Sequence, residues 1–296
     1  MQVVSRASEL SLKQTVLCIG NFDGVHLGHQ MLLNYMQTEA KAKGVAGVIL
    51  TFFPPSKHFF SQSPFLSTQE EKLELFSAFD PAAVIVVPFT EAFTKTPKDV
   101  FLQDIAQLEP QTIIVGENFR FGHERKGNLY DLSKHTGRLE VFNLKHGEGE
   151  AISSTRIREL LLGGEIAEVN KLLGRDYSAS GNVIEGDKRG RSIGYPTANL
   201  AIDRHKALPY GVFAVRVKTP LGMVDGMANV GPRPSFPNDP PALEVNLFDF
   251  DAPLYGETLT VYFVAALRKQ QKFEGLEALK AQLARDKEKA LELLRP

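Results

Sequence analysis

Short apolar runs rich in β-branched residues recur along the first half of the chain, and between them the apolar positions fall at helical spacing. Residues 15–19, 45–52, 83–87 and 112–115 have the length and composition of buried strands, and 139–144 is a candidate fifth. From about Gly28 the period changes, setting Met31, Leu32, Tyr35 and Met36 on one helical face. Ser67-Thr68-Gln69-Glu70 reads as a capping box opening a helix through Phe79, and Thr96-Pro97 opens another through about Ala106. Strands alternating with helices predict a parallel sheet covered on both faces. One more helix ends at Gly163-Gly164 and a short one covers 165–173. Beyond Tyr177, segments 177–184, 211–218, 223–229, 243–249 and 258–264 alternate between Gly and Pro turns. That spacing predicts a small antiparallel β-barrel. An amphipathic helix from Gly275 to about Leu294, carrying Leu276, Leu279, Leu283 and Leu291, is expected to pack on it. The domain boundary is expected near 174, giving an α/β domain over 1–174 and a β domain over 175–296.

Composition narrows the function classes. A chain of 296 residues suits two domains, and 43% hydrophobic with 23% charged residues suffices for real cores. The 34 basic and 35 acidic residues leave a net charge of −1, which argues against bulk nucleic-acid or anionic-membrane binding. A single cysteine, Cys18, excludes an intramolecular disulfide framework and fits a reducing compartment. The first residues lack the apolar core of a signal peptide, and no run approaches the ~18 apolar residues of a membrane span. The expectation is a cytoplasmic protein whose partners are small molecules; a homo-oligomer is neither required nor forbidden.

The first chemistry sits where strand 15–19 gives way to helix, at Gly20-Asn21-Phe22-Asp23-Gly24-Val25-His26-Leu27-Gly28-His29. Unpaired N–H groups and the positive end of the dipole make a helix N-terminus favour anions. His26 and His29, three residues apart, can face the same pocket, so a phosphate would meet backbone donors and two imidazoles. Capping or surface histidines are the plainer alternative. Metal ligation is a third, weakened because no further Cys/His cluster completes a site. The polar stretch from Gly116 to Asn128 follows the fourth strand, where open parallel sheets bind ligands, although a solvated loop has the same composition. At Ile152-Ser153-Ser154-Thr155-Arg156-Ile157-Arg158, hydroxyls opening a helix either cap it or, with an arginine one turn in, cradle pyrophosphate. In the second half, Gly186 to Arg191 and Gly194-Tyr195-Pro196-Thr197-Ala198-Asn199 combine glycines and basic residues with a hydroxyl and an amide two residues apart. They form either a surface turn or a phosphate loop beside hard oxygen ligands suited to Mg²⁺.

These strings resemble a known family. Gly-x-Phe-Asp-Gly-Val-His-x-Gly-His is similar to the signature of bacterial FMN adenylyltransferases, within the Gly-x-x-His-x-Gly-His nucleotidyltransferase group. Val115-Gly-Glu-Asn118-Phe-Arg-Phe-Gly122 and Ile-Ser-Ser-Thr-x-x-Arg resemble two further motifs of that family. Gly194-Tyr-Pro-Thr-Ala-Asn199 resembles the riboflavin kinase signature; Asn229-Val-Gly-Pro-Arg-Pro-Ser-Phe236, Leu243-Glu244-Val245, Leu254-Tyr-Gly256 and Arg268…Lys272-Phe273 match later pieces. The resemblance implies a nucleotidyltransferase domain followed by a riboflavin kinase barrel, with ATP and Mg²⁺ used at both sites and riboflavin, FMN and FAD as substrates or products. It implies that His26 and His29 stabilise charge on the α-phosphate. Gly20, Phe22, Asp23, Gly24, Gly28 and Asn118 would line the nucleotide, and Ser153, Ser154, Thr155 and Arg158 would hold pyrophosphate. In the second half it implies Gly186, Lys188, Gly190 and Arg191 on phosphates, Thr197 and Asn199 on Mg²⁺, and Glu244 as general base. Phe52, Arg268 and Phe273 would contact flavin. One departure stands out: where the family has Thr-Phe-x-Pro-His-Pro, this chain has Thr51-Phe52-Phe53-Pro54-Pro55-Ser56. The departure admits an alternative, a riboflavin kinase with a degenerate nucleotide-binding front domain. A flavin-sensing module without turnover and a class I aminoacyl-tRNA synthetase are the more distant alternatives, and the latter lacks its second signature loop.

Overall fold

The computed structural model describes residues 1–143, 152–186, 190, 193–231 and 241–295. The chain forms two compact units, Met1–Ser154 and Thr155–Pro296.

The first unit is built on β1 (Gln2–Val4), β2 (Val16–Ile19), β3 (Gly47–Phe53), β4 (Ala83–Pro88), β5 (Thr112–Gly116) and β6 (Arg138–Phe142). They lie in the order β1-β4-β3-β2-β5-β6, every neighbouring pair parallel. Between them run α1 (Leu27–Lys43), α2 (Ser56–Ser61), α3 (Gln69–Ser77), α4 (Glu91–Thr94), α5 (Lys98–Ala106) and α6 (Leu129–Ser133). Alternate strand residues feed two cores: Leu17, Ile19, Val48 and Leu50 enter one, and Val16, Cys18 and Ile49 the other. A sheet buried on both faces therefore needs the unbroken apolar runs seen in the sequence. From β2 the chain winds outward to β3 and β4, then returns to the opposite side of β2 for β5 and β6. The crevice beyond the carboxyl ends of β2 and β5 is thus the topological switch point, the usual ligand position in such sheets.

Details differ from the sequence expectation. The edge strand β1 is an addition, too short to carry a period. On α1 the buried face is Leu32, Leu33, Met36 and Ala40, whereas Met31 is 39% exposed. The capping box is one residue later than expected, Thr68 with Glu71, because the Ser67 hydroxyl accepts from Gly24 N instead. That helix stops at Ser77.

Of the second unit, α7 (Ser154–Leu162, whose first residue belongs to the first unit) and α8 (Ile166–Leu173) precede β7 (Tyr177–Ile184), β8 (Ala198–Ala201), β9 (Gly211–Thr219), β10 (Gly222–Gly231), β11 (Ala242–Leu247) and β12 (Thr258–Arg268). These six described strands close a barrel in the order β10-β11-β8-β7-β12-β9. The short β8 was absent from the sequence pattern. The last helix, α9 (Leu276–Leu294), buries Asp286, Ala290 and Leu294 while Leu276 and Leu291 are exposed, so its inner face is rotated from the leucine stripe. The cause is Arg268: its Nε lies 3.2 and 2.9 Å from the Asp286 carboxylate oxygens, and its Nη2 makes a 2.9 Å ion pair with Oδ2. This bidentate pair, its carboxylate buried and its guanidinium half-buried, draws the acid inward.

Candidate active sites

In the first unit, the loop leaving β2 holds an unusual backbone. Phe22, Gly24 and Val25 all have positive φ, at 49°, 79° and 40°. A β-branched residue in that region is strained, so its surroundings must hold it there. The hold is visible. Asp23, 3% exposed, accepts from the backbone N–H groups of Leu66 and Ser67 through Oδ1, at 2.8 and 3.3 Å. Ser67 Oγ in turn accepts from Gly24 N at 2.9 Å. Phe22 is wholly buried and meets Phe76 edge-on, so its ring supports the loop from within the core rather than offering a ligand surface. Gly20 leaves room for that ring, since a Cβ there would lie 2.8 Å from Phe22 Cζ.

The loop delivers the two histidines to the start of α1. His26 is the N-cap, with Nδ1 accepting from His29 N at 3.3 Å, which puts the proton of a neutral ring on Nε2. The rings stack with centroids 3.6 Å apart and planes 16° from parallel, and Phe22 backs His29 edge-on. Ser154 joins the same loop, donating from Oγ to Asp23 O at 2.9 Å. The second signature therefore reaches the first through its serine. Thr155 and Arg158 belong to the second unit, where Arg158 Nη2 donates to Thr155 Oγ1 at 3.4 Å. Ser153 is half-buried. Across the switch point, the loop after β5 exposes Asn118 and is pinned by reciprocal bonds between Phe121 and Gly127 and by stacking of Phe119 on Phe121.

Beyond β3 and β4 lies a group of phenylalanines that sequence reasoning largely missed. Phe52, largely buried, packs against Phe89 and Phe93, while Phe59, Phe60 and Phe89 contact one another pairwise, with Phe60 70% exposed. Phe52 thus lies behind this shelf, and Phe59, Phe60 and Phe89 form its accessible part. At the position where the family motif has histidine stands Pro55; His58, further along on α2, is buried with Nδ1 2.8 Å from Ser63 O and its ring against Phe65.

In the barrel, register assembles the second site. Asn199 on β8 is opposite Glu244 on β11, and Glu244 is opposite Asn229 on β10. Directly paired residues share a sheet face, so these three polar side chains form one row across the wall. Gln270 Nε2 extends it, donating to Asn229 Oδ1 at 3.0 Å. In the sequence Asn229 only opened a family motif and Gln270 stood in none, because only pairing reveals the row. The segment before β8 is fixed by Asn246 Nδ2, which donates to Pro196 O at 2.6 Å, leaving Thr197 exposed. Gly186 packs against the Asn199 amide and Gly190 against Tyr195 O, where a Cβ would come within 2.1 Å of either neighbour. Arg268, expected at flavin, is engaged by Asp286 and lies over the Phe273 ring, its guanidinium carbon 5.5 Å from the centroid. Lys188, Arg191 and the 232–236 part of the Asn229–Phe236 motif lie outside the described residues. Thr197 and Asn199 offer hydroxyl and amide oxygens, a donor set that fits Mg²⁺, and Gly186 keeps the space beside the amide free of a side chain.

Comparison with known proteins gives the same two halves. A family model described as FAD synthetase matches residues 8–156, and one described as riboflavin kinase matches 173–294. A bifunctional riboflavin kinase/FMN adenylyltransferase of Bacillus subtilis is 33% identical, covering 94% of this chain and 92% of the relative. That of Listeria monocytogenes is 35% identical, covering 92% and 90%, and that of Escherichia coli K12 is 34% identical, covering 96% and 94%. A solved structure described as a macrolide-efflux protein from Streptococcus pneumoniae superposes with a TM-score of 0.87 at 28% identity over 98% of both chains. Efflux is said of that protein; among the described residues here, no helix is long and apolar enough to cross a membrane.

Proposed function

The chain belongs to the bifunctional riboflavin kinase/FMN adenylyltransferase family, and from that premise we propose that it makes FAD in two steps at separate sites. Riboflavin and ATP give FMN and ADP in the C-terminal part; FMN and ATP give FAD and pyrophosphate in the N-terminal part. The reading keeps 1–174 and 175–296 as the two functional parts, cytoplasmic, with small molecules as partners.

In adenylyl transfer a phosphate oxygen of FMN attacks the α-phosphorus of ATP, and the bond to the β,γ-pyrophosphate breaks. The stacked His26 and His29, at the N-terminus of α1 and the sheet's switch point, are the observation that carries this assignment. As donors held in place before reaction, they offset the charge that gathers on the α-phosphate. Asn118 lines the nucleotide, and Ser153, Ser154, Thr155 and Arg158 hold the leaving pyrophosphate. The shelf of Phe59, Phe60 and Phe89 supplies π-faces for the flavin ring.

In the kinase reaction Glu244 takes the proton of the ribityl hydroxyl as that oxygen attacks the γ-phosphorus. Thr197 and Asn199 would hold Mg²⁺, which when bound neutralises charge on the transferring phosphates. Gly186 and Gly190, with Lys188 and Arg191, cover those phosphates. The test is direct: with riboflavin and Mg-ATP, separated flavins should show FMN and then FAD. FMN without FAD would leave a kinase with an inactive front domain, and neither product would remove the whole reading.

A further inference from the structure

Lys72 has no place in the chemistry above, yet it is 2% exposed, beneath the histidine loop. It sits on α3 and reaches three acceptors: Asn21 O at 3.0 Å, Phe52 O at 3.1 Å and Thr51 Oγ1 at 3.5 Å. The Thr51 hydroxyl donates to Asn21 O at 3.1 Å, so only its lone pair remains for the lysine. An ammonium carries three donors and no acceptor, which matches this trio; a neutral amine would turn a lone pair toward an oxygen. Asn21 is also the link between the loop and α2, its side chain bonding Ser56 Oγ and Ser56 N at 3.2 and 3.3 Å. The lysine therefore sits at a junction. On one side is the loop that carries His26 and His29, and on the other is the end of β3, from which the chain runs into α2 and its phenylalanines.

We propose that Lys72 is a positioning residue for adenylyl transfer, its ammonium fastening the Asn21 end of the histidine loop to the carboxyl end of β3. This fixes the spacing between the phosphate site and the aromatic shelf, which is the spacing between the two reacting substrates. The proposal rests on the reading of the first unit as an FMN adenylyltransferase. Two surroundings act on the charge besides the three acceptors: the Asp23 carboxylate favours it, and the Phe53 ring lies 5.7 Å away. Burial outweighs the Asp23 field and pushes the Lys72 amine down to about 8. The fastening then holds in most molecules at neutral pH and is lost as pH rises through that value.

The test is FAD formation from supplied FMN and Mg-ATP, followed from about pH 6.5 to 9.5, with FMN formation from riboflavin as internal control. The unaltered protein should lose adenylyl transfer above about pH 8. Lys72→Met should lower its kcat about 10²-fold at neutral pH, as a misplacement near 1 Å does, and abolish the alkaline decline. Lys72→Arg, which stays charged, should hold its activity flat to pH 9.5. Kinase turnover should not change in either. A Lys72→Met protein within threefold of normal with the decline intact overturns the proposal, as does an unchanged decline in Lys72→Arg. Should Lys72→Met not fold, Thr51→Val removes one acceptor and should move the decline to lower pH with reduced FAD turnover; no change in either also overturns it. A protein that makes FMN but never FAD in any form refutes the adenylyltransferase reading itself and takes this proposal with it.

Discussion

Gly186→Ala separates the stability of the barrel from the chemistry assigned to its wall. The new Cβ would lie 2.1 Å from Asn199 Nδ2 and 2.6 Å from Cγ, where ordinary contact begins near 3.4 Å. Because Gly186 has no positive φ, the backbone accepts alanine, and the obstacle is the end of one side chain. The amide must then retreat by roughly an ångström. Forcing Asn199 off its rotamer costs about 0.5–1.5 kcal/mol. Alanine restricts the unfolded chain and returns about 0.4–1 kcal/mol, so net stability moves by less than about 1 kcal/mol. Displacing a reacting group by about 1 Å costs near 10²-fold in rate, about 2.7 kcal/mol, so the loss of turnover should exceed any loss of stability. The assay is FMN formation at saturating riboflavin and ATP, beside FAD formation from supplied FMN and a calorimetric Tm. We expect FMN turnover to fall about 100-fold, FAD formation to hold, and Tm to change by a few degrees at most. FMN turnover within about threefold of normal would refute the assignment of the Asn199 amide. A Tm loss above about 10 °C would instead show that the glycine serves the fold.

Other outcomes follow from the same geometry. His29→Ala should cut FAD formation ~10²–10³-fold and spare FMN formation, while Glu244→Gln should do the reverse by ~10²–10⁴; equal losses in both assays would contradict separate sites. Asp286→Ala leaves the half-buried Arg268 guanidinium without its carboxylate and should destabilise the barrel unit by about 1.5–3 kcal/mol in denaturant unfolding; a loss below about 1 kcal/mol would show that the pair does not clamp α9. Cys18 is fully buried in β2 with its thiol pushed well above the usual range by desolvation, so a thiol reagent should label it only after unfolding. Rapid labelling of native protein would mean that the strand opens.

The strands that cross the cores were legible because burial on both faces demands continuous apolar runs, and the family motifs were legible because each is written contiguously. What failed was set by pairing or by a distant partner. β8 covers Ala198–Ala201, a segment without β-branched residues, and it exists through its ladders to β7 and β11. The row Asn199–Glu244–Asn229 joins three strands and cannot be read along any of them. Helical periodicity assigns lysine and aspartate to the solvent face. Lys72 and Asp286 invert that rule because converging carbonyls hold one and a guanidinium the other. The sheet order was likewise open, since helical crossovers permit several arrangements of the same strands.

In the proposed reading the loop leaving β2 receives a triphosphate, and an acidic residue amid it would ordinarily repel that guest. Here Asp23 directs its Oδ1 to Leu66 and Ser67, more than forty positions along the chain, and the turn keeps its shape through that distant grip. The ten-residue signature is therefore not portable. Transplanted into another sheet without its 65–67 counterpart, it would arrive as a bare carboxylate on a slack turn, and the recipient would lose anion affinity where the graft was meant to confer it.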